Sequence, residues 1–214
     1  MTVSEVTKRP GRPSLSEHQK QQIRDDIINI ARDLFVNHGY ENTSMRKIAA
    51  QAGFAPTKIY YYFENKKEIL RYFWEDISQA LWNHCEPSED VLAKPPIEIL
   101  RHLMHKSVEY WLQNPKSFQL GIATQDHEAE SKDNFNIYES SGTGKYIELL
   151  YDCVQRCIDR GDFRVTNKQI AAQVITLSIY GIYGSFYGLP MVRWEDKDEL
   201  INTAIDNTLR GLQN

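Results

Sequence analysis

No stretch of the 214-residue chain sustains the period-two alternation of a half-buried strand, whereas apolar residues return every three or four positions along most of its length. That periodicity restricts the fold to packed helices. Ser16 with Gln19 has the spacing of a capping box and opens a helix reaching His38. Its stripe is Ile23, Ile27, Ile30, Leu34 and Phe35, and Gly39 supplies a left-handed stop. A second helix follows Thr43 or Ser44 and ends by Ala52; a third runs from Pro56 to Phe63. Asn65 with Glu68 opens a fourth, striped by Ile69, Leu70, Phe73, Trp74, Ile77 and Leu81. Glu86 to Pro96 reads as a loop, and a fifth helix then extends to about Leu112. Asn114-Pro115 breaks it, and Pro115 suits the first turn of a sixth. After a charged loop, Glu128 to Asn134, a seventh helix stops at Gly161. Thr166 with Gln169 caps an eighth, and a ninth beyond Trp194 to Asp198 carries Leu200, Ile201, Ala204, Ile205, Thr208, Leu209 and Leu212. The expected fold class is all-α, with about nine helices.

Charge is unevenly spread. Met1 to Tyr72 holds 12 Lys+Arg against 8 Asp+Glu, while the remainder holds 13 against 21. A basic front on an acidic body suits a front that meets an anion and a body that stays off it. The first dozen residues, ending in Lys8-Arg9-Pro10-Gly11-Arg12-Pro13, are polar and broken by Pro and Gly, the pattern of a flexible arm.

Several chemistries find no support. Cys85, Cys153 and Cys157 are odd in number and form no CxxC; they are expected as free, buried thiols of a cytoplasmic protein. Asp126-His127-Glu128 are adjacent and do not converge on one helical face, so no metal site is expected. Ser141-Gly142-Thr143-Gly144-Lys145 lacks the leading Gly, the following Ser/Thr and the preceding strand of a phosphate loop, and reads as a helix start. No nucleophile, base and orienting group can be placed together, so neither catalytic residues nor a cofactor is expected. Ile170 to Val192 is uncharged and long enough to span a bilayer. It contains Gln173, Thr176, Ser178, Ser185 and Pro190 and has no flanking basic cluster, so no membrane is expected and a helix covered on two sides is.

The informative stretch is Thr43 to Lys67. Two short helices flank a tight turn, with Gly53 free to take a positive φ and Ala49 small where the helices cross. Ile48 and Ile59 face inward. This is the arrangement of a helix-turn-helix, whose second helix enters a major groove. That helix gathers Pro56, Thr57, Lys58, Tyr60, Tyr61 and Tyr62. Phe63, and in part Tyr60, is expected to pack inward; Lys58, Tyr61 and Tyr62 are expected to face DNA. Tyrosine hydroxyls bond phosphates and their rings touch thymine methyls. Ser44, Arg46, Lys66 and Lys67 lie at helix starts, where free N–H groups favour anions. Arg9, Gly11 and Arg12 would track a minor groove.

Phe35, Gly39-Tyr40, Thr43-Ser44, Ile48-Ala49, Ala52-Gly53, Ile59-Tyr60, Tyr62-Phe63 and Lys66-Lys67-Glu68 together resemble the signature of the tetracycline-repressor (TetR) family of bacterial regulators. The resemblance covers about Gln22 to Leu70. It implies an all-helical homodimer that represses from a palindromic operator in double-stranded DNA and lets go when a small-molecule effector binds the C-terminal domain. By motif position, it puts DNA contacts on Ser44, Arg46, Pro56, Thr57, Lys58, Tyr60, Tyr61, Tyr62 and Lys66. Two residues depart from the pattern: Ala55 stands where the family often has a capping Ser, and Thr57 where it often has Gly. The expected division is an arm over 1–15, a DNA-binding domain over 16–65 and an effector-binding and dimerisation domain over 66–214.

The resemblance also implies that the last two helices of each subunit pair with a partner's. Gly181, Gly184 and Gly188 of the eighth helix and Ile201, Ile205 and Leu209 of the ninth are the residues read as that interface. Trp74, Trp82, Tyr110, Trp111, Phe118 and Tyr146 are read as lining an effector pocket for an apolar or aromatic molecule, a cation remaining open because the body is acidic. Two other classes stay in play: a constitutive architectural DNA binder without effector, and a helical carrier or enzyme with a vestigial helix-turn-helix.

Overall fold

The computed structural model describes residues 15–119 and 141–213. The basic arm, Asp126-His127-Glu128 and the loop expected at Glu128 to Asn134 lie outside the described residues. The rest is helical: α1 (Glu17–His38), α2 (Met45–Gln51), α3 (Pro56–Tyr62), α4 (Lys66–Cys85), α5 (Glu89–Leu92), α6 (Pro96–Gln113), α7 (Ser141–Asp159), α8 (Lys168–Gly188) and α9 (Lys197–Leu212), with residues 115–119 also helical. Among the described residues no strand forms; Phe163 and Gln213 share one isolated antiparallel bridge.

Local chemistry sets most boundaries. Ser16 and Gln19 complete the capping box of α1, and Gly39 at φ 82° ends it with its N–H on the Phe35 carbonyl. Ser44 caps α2 by accepting the Lys47 N–H, and Asn65 caps α4 by accepting the Glu68 N–H. Two expectations shift. The cap of α8 is Asn167, which accepts the Ile170 N–H, rather than Thr166. Inside the expected loop Glu86 to Pro96, the Ser88 carbonyl accepts the N–H groups of Val91 and Leu92 and winds the single turn α5.

The elements form a small N-terminal unit on a larger body. Ile27, Ala31, Phe35, Ile48, Ala49, Ile59 and Phe63 close the core of α1, α2 and α3. α4 begins in that unit, packs on α1, and continues into the body against α6 and α7. α8 packs on α6, α7 and α9, and α9 closes over α6. Cys85, Cys153 and Cys157 are free and fully buried, and burial pushes their thiols up to about 11, 11 and 12.

The Ser141–Lys145 stretch forms the first turns of α7, pressed onto α4. A Cβ at Gly142 would overlap the Ser78 carbonyl, so only glycine allows this crossing. Ser78 Oγ accepts the Thr143 N–H at 2.5 Å, and the Glu75 carboxylate accepts both the N–H and the hydroxyl of Ser141. Side chains of α4 therefore satisfy free N–H groups at the start of α7.

Candidate nucleic-acid interface

The turn between α2 and α3 is built as the spacing predicts. Gly53 sits at φ 66°, and the Phe54 N–H returns to the Ala49 carbonyl at 2.9 Å. Ile48, Ala49 and Ile59 are sealed beneath it. Thr43 is buried and donates its hydroxyl to the Gly39 carbonyl at 2.9 Å, tying the end of α1 to the start of α2.

α3 lies on this base with Pro56 in its first turn. Its N-cap, Ala55, makes no side-chain hydrogen bond, as the departure from the family pattern implies. Ile59, Tyr62 and the capping residue Phe63 turn inward; Thr57, Tyr60 and Tyr61 turn out. Tyr60 is 54% exposed and Tyr61 70%, but Tyr62 only 8%. Tyr62 is thereby corrected from an outward to an inward position, while Tyr60, expected in part to pack inward, is exposed as its motif position implies. With Ile59 fixed inside, a helical period brings positions 62 and 63 to the same face and leaves 60 and 61 opposite. Lys58 is half-buried, its ammonium 3.6 Å from the centre of the Phe54 ring.

Ser44 and Arg46 are exposed at the start of α2, beside this surface. Lys66 departs from its expected role. It donates to the Tyr40 carbonyl at 2.7 Å, lies over the Tyr40 ring and approaches Glu41, and burial lowers its pKa. Its charge is engaged in fastening the α1–α2 connection to α4.

Sequence reasoning missed the joint that orients the unit. Arg24 of α1 lies over the rings of Phe63 and Tyr72 and bonds the Tyr72 hydroxyl at 2.5 Å and the Glu68 carboxylate at 3.5 Å. Arg32 lies over Phe73 and pairs with Asp76 at 3.7 Å. Both arginines sit off the apolar stripe of α1, and the signal was their opposition to Glu68 and Asp76 at one helical spacing along α4.

Of the residues expected at the pocket and the interface, most are buried within the subunit and the glycines of α8 face outward. Trp74, Trp82, Tyr110, Trp111, Phe118 and Tyr146 are all buried. The main clefts between described residues do not gather them together. Trp82 borders a cleft of about 420 Å³ with Glu86, Pro87 and Leu92, Tyr146 receives a hydrogen bond from Ser107, and Tyr110 donates to the Ile77 carbonyl. A larger groove of about 990 Å³ between α7 and α8 is lined by other residues, among them Ile147, Tyr151 and Leu177. On α9, Ile201, Ile205 and Leu209 are buried within the subunit, which corrects their reading as partner contacts: the stripe of this helix faces its own α6 and α8. Gly181, Gly184 and Gly188 lie on the outer side of α8, and a Cβ added at any of them meets nothing within 4 Å.

α8 is the one helix among the described residues long and apolar enough to cross a membrane. Ala171, Ala172, Ile175, Ile179 and Tyr183 bury one face of it in the body, while Leu177 is exposed on the other.

A helix-turn-helix that holds a short helix outward, fastened through its own first helix to a larger helical body, defines the class of DNA-binding regulators. Residues 27–73 match the model for bacterial regulatory proteins of the tetR family. Over that stretch the chain carries the signature of that family. It is 23% identical over 206 residues to the transcriptional repressor NicS of Pseudomonas putida, covering 91% of this chain and 94% of that one. It is 29% identical over 92 residues to the transcriptional regulator AcrR of Shigella flexneri, a match spanning 42% of this chain and 41% of that protein. The crystal structure of a TetR family transcription regulator from Marinobacter aquaeolei superposes with a TM-score of 0.68 at 19% identity, covering 93% of this chain and all of that one.

Proposed function

We propose that the chain is a sequence-specific repressor that binds a palindromic operator as a homodimer and is released by a small molecule held in its helical body. The observation that carries this reading is α3, which presents Thr57, Tyr60 and Tyr61 to solvent from a fully packed base. Adjacent exposed tyrosines on a seven-residue helix are well suited to phosphates and thymine methyls. Ser44, Arg46, Pro56 and Lys58 complete the contact surface. Residues 16–65 form the reading unit, 1–15 an arm for the minor groove, and 66–214 the body that pairs and binds effector.

The partner surface is the outer face of α8 with the exposed edge of α9. Leu177 is 71% exposed there, and Gly181, Gly184 and Gly188 leave open space beside it. Across α9 the same side continues through Leu200, Thr203 and Asn207, all exposed and uncharged. A second copy laid on this face would hold two α3 helices one DNA turn apart, about 34–36 Å. Action on DNA goes with a cytoplasmic setting.

The test is fluorescence anisotropy of the protein on DNA upstream of its own gene, beside a scrambled duplex, over a salt series. Tight binding of the native sequence that survives competitor DNA supports the reading. Equal, steeply salt-dependent binding of both duplexes overturns it in favour of an architectural binder.

A further inference from the structure

Phe118 sits inside a box made by four other aromatic rings. Its ring centre is 4.1 Å from that of Tyr183, 5.7 Å from Trp111, 5.9 Å from Tyr180 and 6.5 Å from Tyr187. Three of the walls come from α8 and one from α6. The occupant comes from the helical residues 115–119. Within residues 115–119, Phe118 alone is buried; 115, 116 and 119 are exposed and 117 is half-buried. The start of this stretch is held by N–H groups of Ser117 and Phe118 on the Asn114 carbonyl, at 3.1 and 3.3 Å. Phe118 thus fills a site whose other walls come from α6 and α8.

The box contains a second anomaly. Tyr183 is 1% exposed, and its hydroxyl has no hydrogen-bond partner among the described residues. A buried hydroxyl is nearly always paired, because taking it from water without compensation is unfavourable. Phe118 supplies ring contact to this tyrosine and nothing for its O–H. The site is therefore satisfied in shape and unsatisfied in polarity.

The geometry points to a self-occupied binding site, in which a planar aromatic molecule carrying a hydrogen-bond acceptor displaces the Phe118 ring and takes the Tyr183 O–H. Stacked and edge-on rings at 4–7 Å match an aromatic guest. The missing acceptor is what such a guest adds and Phe118 lacks. The exchange swings the 115–119 turn away from α8 and so ties occupancy of the box to the position of that turn. As the effector site, it rests on the reading of the chain as a ligand-released repressor.

The probes are 4'-fluoroacetophenone, a phenyl ring with a carbonyl acceptor, and 4-fluorocumene, nearly the same shape without one. Each is titrated with the full-length protein and followed by fluorine NMR. The wild-type protein is expected to bind the ketone saturably and at least fivefold more tightly than the cumene. Tyr183→Phe is expected to bring the two within twofold, a change that loss of packing alone does not produce. Phe118→Ala is expected to tighten both about tenfold by removing the competing ring, and Phe118→Leu to act in the same direction and less, which keeps the test intact if the alanine variant does not fold. No saturable binding to the wild type, or a preference that survives Tyr183→Phe, overturns the site. The operator complex is then titrated with the ketone. Loss of operator affinity supports the box as effector site; binding without that loss overturns its regulatory role and leaves the site standing. Absence of binding, conversely, leaves ligand-released repression to be sought at another cavity.

Discussion

Tyr61 and Tyr62 are neighbours in sequence and sit in opposite environments, 70% and 8% exposed, with their rings edge-on at 5.1 Å. Alanine at each should separate recognition from stability. Tyr61→Ala is expected to lower operator affinity at least tenfold while leaving the urea midpoint in place. Tyr62→Ala removes a core ring from α3 and is expected to cost on the order of 3 kcal/mol, read as a lower midpoint. Sequence alone identified the inward Ile48 and Ile59, because they flank the Gly53 turn at which the two helices must cross. It misordered the tyrosines because a seven-residue helix has too few turns to show a stripe of its own. Their phase had to be counted from Ile59. Gly142 was illegible for a different reason. Its role depends on a contact with Ser78, sixty-four positions away, that no local pattern encodes. Gly142→Ala is expected to push α7 off α4 and to destabilise the protein by about 1–3 kcal/mol, as overpacking does. Gly181→Ala, with open space around it, should leave the subunit's own packing untouched. Urea titrations of the two variants below the dimerisation concentration make the comparison.

At the scale of elements, capping residues gave the starts of α1, α2 and α4 because the chemistry is contained within four residues. It failed at α8, where Thr166 and Asn167 are both plausible caps and only the backbone decides between them. α3 is the element with the weakest start. Pro56 removes one N–H that would need a partner, but Ala55 offers no side chain to the rest. A seven-residue helix has little stability of its own, so its start matters more than usual. Ala55→Ser is expected to stabilise α3 by about 0.5–2 kcal/mol. Amide hydrogen exchange at Lys58 and Ile59 reports this directly. Slower exchange in the variant, with unchanged exchange in α1, would mark α3 as locally frayed in the wild type. Equal exchange in both would mean that the packed base alone fixes this helix.

For the whole molecule, the apolar pattern of α9 was read correctly as a buried stripe and assigned to the wrong neighbour. Ile201, Ile205 and Leu209 serve the subunit's own core. Periodicity shows that a face is covered and says nothing of which chain covers it. α8 resolves the ambiguity better, because beyond Lys168 it is uncharged on both sides. Its inner side is filled by Ala171, Ile175, Ile179 and Tyr183, whereas Leu177 on the outer side is left 71% exposed. Leu177, at the centre of that side, is the most diagnostic position. In the isolated subunit a glutamate there is solvated and close to neutral for folding. Against a second copy it would bring two carboxylates into one apolar contact and leave both desolvated and unpaired. Leu177→Glu is therefore expected to convert the protein to monomers in analytical ultracentrifugation while keeping the helical circular dichroism of the wild type. Operator affinity should fall with it, because one recognition helix on half a site loses the contribution of the second. A Leu177→Glu protein that remained dimeric would move the pairing surface elsewhere, with the uncharged edge of α9 through Leu200 and Asn207 the next face to mutate.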